Sequence, residues 1–140
     1  MRHFLLLALL FSALASHAQT LVPVPAKAVA RLQNLLRQTQ AEVEIGARSS
    51  SLPAETRPQL NKVLVKAAAE FLTLATHNPT REEYFKSLDA GLAQLTPLVV
   101  GVQDRQQLAD YFQDVLDIVG LESSEGRLTA FVQGTTANRQ

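Results

Sequence analysis

The chain has 140 residues, with 13 Lys and Arg against 13 Asp and Glu, 46% hydrophobic residues, one Met and neither Cys nor Trp. That balance fits one globular domain and excludes a disordered, collagen-like or polytopic membrane protein. The missing cysteines also exclude a disulfide scaffold, thiolate zinc sites and thiol catalysis.

The N-terminus carries an address. Met1, Arg2 and His3 give a positive start, Phe4 to Ala15 is an almost unbroken apolar run, and Ser16-His17-Ala18 places small residues one and three positions before Gln19. This is the layout of a cleaved secretory signal peptide over residues 1–18, and the run falls well short of the ~20 residues a membrane-spanning helix needs. No Cys follows the run for lipid attachment, so the expected location is the periplasm or the medium, with no integral membrane span in the mature chain. Removing residues 1–18 leaves 122 residues, enough for one core. The expected division is a signal peptide, a single helical domain over 19–134 and a loose polar tail over 135–140.

The mature chain keeps twelve basic and thirteen acidic side chains, and His77 is its only histidine. The charges are unevenly placed. Residues 19–81 hold eight basic and four acidic groups, whereas 82–140 hold four basic and nine acidic. Such halves can attract one another on packing or present charge to a partner.

In chain order the apolar period is helical. Val29, Leu32, Leu35, Leu36 and Val43 recur at helical spacing between Pro25 and Gly46, with Lys27, Arg31, Asn34 and Gln38 opposite. Gly46 to Pro53 is a loop by composition. A second helix carries Leu60, Val63, Leu64, Ala67, Phe71 and Leu74, with Pro58 in its first turn and Asn78-Pro79 as its stop. Thr80-Arg-Glu-Glu83 is a capping box that opens a third helix, with Phe85, Leu88, Leu92 and Leu95 inside and Tyr84 at the edge.

Leu98 to Val102 reads as a buried connection. Asp104, with Gln107 three residues on, is the expected cap of a fourth helix that buries Leu108, Tyr111, Phe112, Val115, Leu116 and Val119 and ends on a left-handed Gly120. Ser123 or Ser124 caps a short fifth helix with Leu128, Phe131 and Val132, closed by Gly134. The expected fold is all-α, a compact bundle of about five amphipathic helices. Its expected core is Leu32, Leu36, Leu60, Val63, Leu64, Phe71, Phe85, Leu88, Leu92, Leu108, Phe112, Val115, Leu116 and Phe131.

Several short signatures recur in a familiar order: Asn78-Pro79-Thr80, Asp104-Arg105, Tyr111-Phe112, the block Asp117 through Ser124, and Gly126. In them the chain resembles the bacterial domain-of-unknown-function family 4844 (DUF4844), from Leu60-Asn61 to Gly134. The resemblance implies a small helical bacterial domain with an aromatic, often Trp, where this chain has Phe131. It transfers no catalytic residue.

The residues themselves offer little chemistry. A Ser-His-Asp arrangement would need His77 with Ser123 or Ser124 and one of Asp104, Asp110, Asp114 or Asp117, but no nucleophile elbow is present and both serines have a use as caps. His77 precedes a helix-ending Asn-Pro, a structural position. One histidine does not make a zinc site, and Asp110, Asp114 and Asp117 lack the glycine turn and alternating ligands of a calcium loop. Glu82 and Glu83 suit a helix start, no glycine-rich phosphate loop occurs, and no basic stripe suits nucleic acid. No catalytic residue, metal or cofactor is therefore assigned. The expected function is non-catalytic binding of an exported or envelope protein, in the manner of an immunity protein or inhibitor, through Asp110, Asp114, Asp117 and Glu122. The alternative is a small periplasmic hydrolase built on His77, a Ser and a carboxylate. Self-association through Leu98 to Val102 is a third possibility.

Overall fold

A computed structural model describes residues 20–41 and 55–134. The signal peptide, Val43, the loop from Gly46 to Pro53 and the tail lie outside the described residues. Within them the fold is all-α, with five helices: α1 (Ala28–Gln40), α2 (Arg57–Ala75), α3 (Arg81–Leu95), α4 (Val102–Ile118) and α5 (Arg127–Gln133). α1 packs on α2 and touches α4, α2 packs on α3, and α4 packs on α5. The one β feature among the described residues is an isolated bridge between Leu21 and Thr80.

That bridge belongs to a strap, residues 20–25, laid over the start of α3. The Val22 amide donates to the Pro79 carbonyl at 2.9 Å, and the Arg81 amide donates to the Thr20 carbonyl at 3.0 Å. The strap ends at Pro25, whose ring lies against Gly120. Gly120 has φ +84°, so a side chain there would meet both a left-handed backbone and the Pro25 ring.

Local signals explain most boundaries. Pro58 lies in the first turn of α2, where its missing N–H is no loss. At α3 the capping box forms: the Glu83 amide donates to Thr80 Oγ1 at 3.2 Å, and the Thr80 amide donates to Glu83 Oε2 at 2.8 Å. The Leu128 amide, in the first turn of α5, donates to Ser124 Oγ at 3.3 Å, and Gly134 closes that helix with φ +72°.

The core runs the length of the bundle. Phe71 and Tyr84 stack with ring centroids 5.2 Å apart, while Tyr111 and Phe112 meet edge to face at 5.6 Å. Every expected core residue is buried except Leu36, which is half-buried, while Thr39 one turn later is buried.

Four expectations need correction. Tyr84 is not at the edge but fully buried, because α3 is covered by α2 on one side and by the strap and the Arg127 side chain on others. The segment Leu98 to Val102 is not a buried connection: Val99 is buried, but Val100 is 86% and Val102 66% exposed. α4 begins at Val102, with Gly101 as its cap, so Asp104 is a buried residue inside the first turn rather than the cap. Finally, α5 begins at Arg127 with the left-handed Gly126 at its cap position, so neither Ser123 nor Ser124 is the cap residue, although Ser124 Oγ still accepts from the Leu128 amide.

Candidate partner-binding face

α4 sorts its residues by face. Leu108, Tyr111, Phe112, Val115, Leu116 and Ile118 are buried, so the positions between them, Asp110, Asp114 and Asp117, emerge on the opposite side and are exposed. The chain then turns through Gly120 and brings the exposed Glu122 beside the row. Gln113 links the two: its amide nitrogen donates to Asp117 Oδ1 at 2.9 Å and to the Glu122 carbonyl at 3.3 Å. Gln106 donates to Asp110 Oδ1 at 2.8 Å. The four acidic positions expected to bind a partner thus lie together on one outward surface.

Helix stability does not explain the row. Asp114 and Asp117 fall in the C-terminal half of α4, where the macrodipole is negative, and the last turn carries no basic residue. Asp110 and Asp114, one turn apart, add a like-charge pair. Among the described residues none of the four carboxylates forms a salt bridge. Among the described residues the side-chain donors they meet are neutral glutamine amides.

Other acidic groups are engaged internally. The Arg127 guanidinium lies 4.2 Å from the Phe85 ring centroid, with its Nε 3.0 Å from Asp89 and its Nη1 3.6 Å from Glu125. Glu125 also pairs with Arg81 at 3.0 Å. Of these ion pairs only Arg81 with Glu125 joins the basic first half to the acidic second half. Arg105 is a second internal clasp, donating to the carbonyls of Val99 at 2.8 Å and Phe131 at 2.9 Å. Phe131, the aromatic of the closing segment, is buried and carries that guanidinium at 5.4 Å from its ring.

The groups of the hydrolase alternative are not assembled. His77 is exposed and its Nδ1 donates to the Thr73 carbonyl at 2.8 Å, with Thr76 Oγ1 at 3.2 Å. Ser123 Oγ accepts from the Glu125 amide at 3.0 Å, and Ser124 Oγ serves α5. Among the described residues no hydrogen bond joins His77 to a serine or carboxylate, and no three of His, Cys, Asp or Glu form a group able to hold a metal. No described helix is long and apolar enough to cross a membrane.

One feature escaped the sequence reading. An open groove of about 570 Å³ lies between α2 and α3, with Ala69 and Leu74 of α2 and Ala90 of α3 among its lining residues. Its lining comes from two helices, and no single-helix period reports that.

Comparisons with known proteins agree with this architecture. A family model described as a domain of unknown function (DUF4844) matches residues 23–136. Among solved structures, the chain is similar to a DUF3571 family protein from Acinetobacter baumannii AYE, with 31% identity and a TM-score of 0.58 over 75% of this chain and 93% of that one. No curated protein matches the sequence.

Proposed function

The chain belongs to the DUF4844 family of unknown function, and from that premise we propose that it is an exported, non-catalytic binding domain whose acidic α4 face docks on a basic protein surface. The observation that carries this reading is the outward row of Asp110, Asp114, Asp117 and Glu122, which lacks a cationic partner among the described residues and opposes the dipole of its own helix. Charge held at some cost to the helix is accounted for when a partner completes it. The leader at residues 1–18 supports an exported partner, an envelope or secreted protein, and the small helical frame suits an immunity protein or inhibitor.

The experiment is capture from the organism's own envelope extract on the immobilised mature protein, followed by purification of the retained protein and titration at low and high salt. A basic partner is expected, its affinity falling with salt. Asp110→Asn/Asp114→Asn/Asp117→Asn should weaken it by about tenfold or more, as loss of several interfacial charge pairs does. A demonstrated partner that binds this triple variant unchanged removes the α4 face from the interaction.

A further inference from the structure

The strap over α3 begins almost at the expected mature end of the chain. Small residues at Ser16 and Ala18 mark a cut ahead of Gln19, which makes Gln19 the first residue and Thr20, where the described residues begin, the second. The strap takes up its bonds at once. The Thr20 carbonyl accepts from the Arg81 amide at 3.0 Å, Leu21 bridges Thr80, and the Val22 amide donates to the Pro79 carbonyl at 2.9 Å. Arg81 is the first residue of α3, so its amide has no acceptor within the helix and Thr20 supplies one from outside.

A structural contact so near a chain end is open to trimming. Thr20 and Leu21 are exposed. An exopeptidase that grips a free α-amine would remove Gln19, Thr20 and Leu21 before meeting the Val22–Pro23 bond, whose nitrogen carries no hydrogen. The bridge to Thr80 and the acceptor for Arg81 would go with them, leaving the half-buried Val22 and Val24 on the core.

Glutamine is a residue that can close its own end. Its side-chain amide carbon and its own α-nitrogen complete an unstrained five-membered lactam, whereas asparagine would need a strained four-membered ring. An α-amino group titrates at about 7.7–8.0, so the neutral nucleophile is present at neutral pH.

We propose that Gln19 is a modification site: removal of the leader frees an N-terminal glutamine that cyclises to pyroglutamate and seals the strap against trimming. This step rests on the exported reading above. The neutral α-nitrogen attacks Cδ of the same residue and a nitrogen–carbon bond forms. The bond from Cδ to the side-chain nitrogen breaks, and that nitrogen leaves as ammonia, taking the proton shed by the α-nitrogen. Nothing is oxidised or reduced, and no co-reactant is consumed. The product has no α-ammonium for an exopeptidase to grip.

The test is intact-mass and N-terminal peptide mass spectrometry of the full chain, expressed with its leader in an exporting bacterial host and purified at neutral pH. The expected species spans residues 19–140 and is lighter by one ammonia. Gln19→Asn should be cut at the same bond and keep its ammonia. On addition of an aminopeptidase the wild type should stay intact, while the Gln19→Asn variant loses its residues through Leu21. Amide exchange at Arg81 in the trimmed variant should then quicken by about fivefold or more, the scale of one net hydrogen bond. A chain that begins at Gln19 with a free amine overturns the proposal and leaves the exported reading standing; a chain that begins elsewhere overturns both. A variant that resists trimming, or one that is trimmed with Arg81 exchange unchanged, overturns the protective role of the lactam.

Discussion

The two acidic regions of the second half of the chain are used in opposite ways. At the seam between α3 and α5, Asp89 and Glu125 meet Arg127 and Arg81, and Arg127 covers the Phe85 ring. On the outer face of α4, Asp110, Asp114 and Asp117 meet glutamine amides or solvent. Both regions stand on the same core, so composition and net charge cannot separate them. What separates them is the direction in which α3 and α4 turn their polar positions: one toward a neighbouring element, the other away from all of them. The uneven charge of the sequence is thus only partly consumed within the fold.

The strongest way to break the contrast is to remove the core both regions share. Phe71 is fully buried and stacked on Tyr84, so Phe71→Ala should cost about 3–5 kcal/mol in chemical denaturation. A loss well under 1 kcal/mol would mean that the α2–α3 packing is wrong. The next largest effect belongs to the seam. Arg127→Ala removes a ring contact at 4.2 Å and partly exposed ion pairs at 3.0 and 3.6 Å, and should cost about 1–2 kcal/mol, with most of the loss persisting in high salt because the ring contact is screened little.

The sequence made one side of this contrast easier to see than the other. The acidic row was legible because Asp110, Asp114 and Asp117 are fixed by the period of a single helix. So was the start of α3, since Thr80 and Glu83 carry the whole capping box within four residues. The seam was not legible: Arg127 and Asp89 are far apart in sequence and meet only after α5 folds back on α3. Tyr84 departs from its expected place at the edge for a similar reason: α3 is covered on several sides, which a one-sided apolar stripe does not report. Asp104 satisfied the pattern of a cap, yet the first turn is set by Gly101 and the buried Val99 before it.

The same contrast between engaged and unengaged polar groups recurs inside the core, in two tyrosines. The Tyr111 hydroxyl shares a 2.9 Å hydrogen bond with Thr39 Oγ1, whereas the buried Tyr84 hydroxyl has no partner among the described residues. Tyr111→Phe should therefore cost about 1 kcal/mol, while Tyr84→Phe should be neutral or slightly stabilising, since it deletes a buried group that makes no bond. Burial, aided by the nearby Glu83 charge, pushes the Tyr84 phenol from 10.0 up to about 12. Burial also raises Tyr111, with the Thr39 bond opposing it. A pKa raised in the folded state gives stability that is complete below the unfolded value and lost as pH climbs through the folded one. Stability should accordingly fall from about pH 10 to about 12 as the unfolded chain ionises first, and Tyr84→Phe should shallow that fall. Phenolate absorbance titration with parallel denaturation checks both; a Tyr84 that ionises at its ordinary value would contradict its burial.

The smallest stability effect is expected on the α4 face, and its sign carries the information. Asp114→Asn/Asp117→Asn removes negative charge near the negative end of a helix dipole, so the variant should be unchanged or more stable by a few tenths of a kcal/mol, roughly the scale of such terms at an exposed helix end. Asp89→Asn, the same chemical change at the seam, should instead destabilise by up to about 1 kcal/mol because it removes the nearer of the two carboxylates that pair with Arg127. Opposite signs from one type of substitution, read in one denaturation series, would show that the fold needs the charge at Asp89 and does not need it at Asp114 and Asp117. Equal destabilisation would mean that the α4 row is engaged within the molecule after all, and the case for an external basic partner would lose its physical basis.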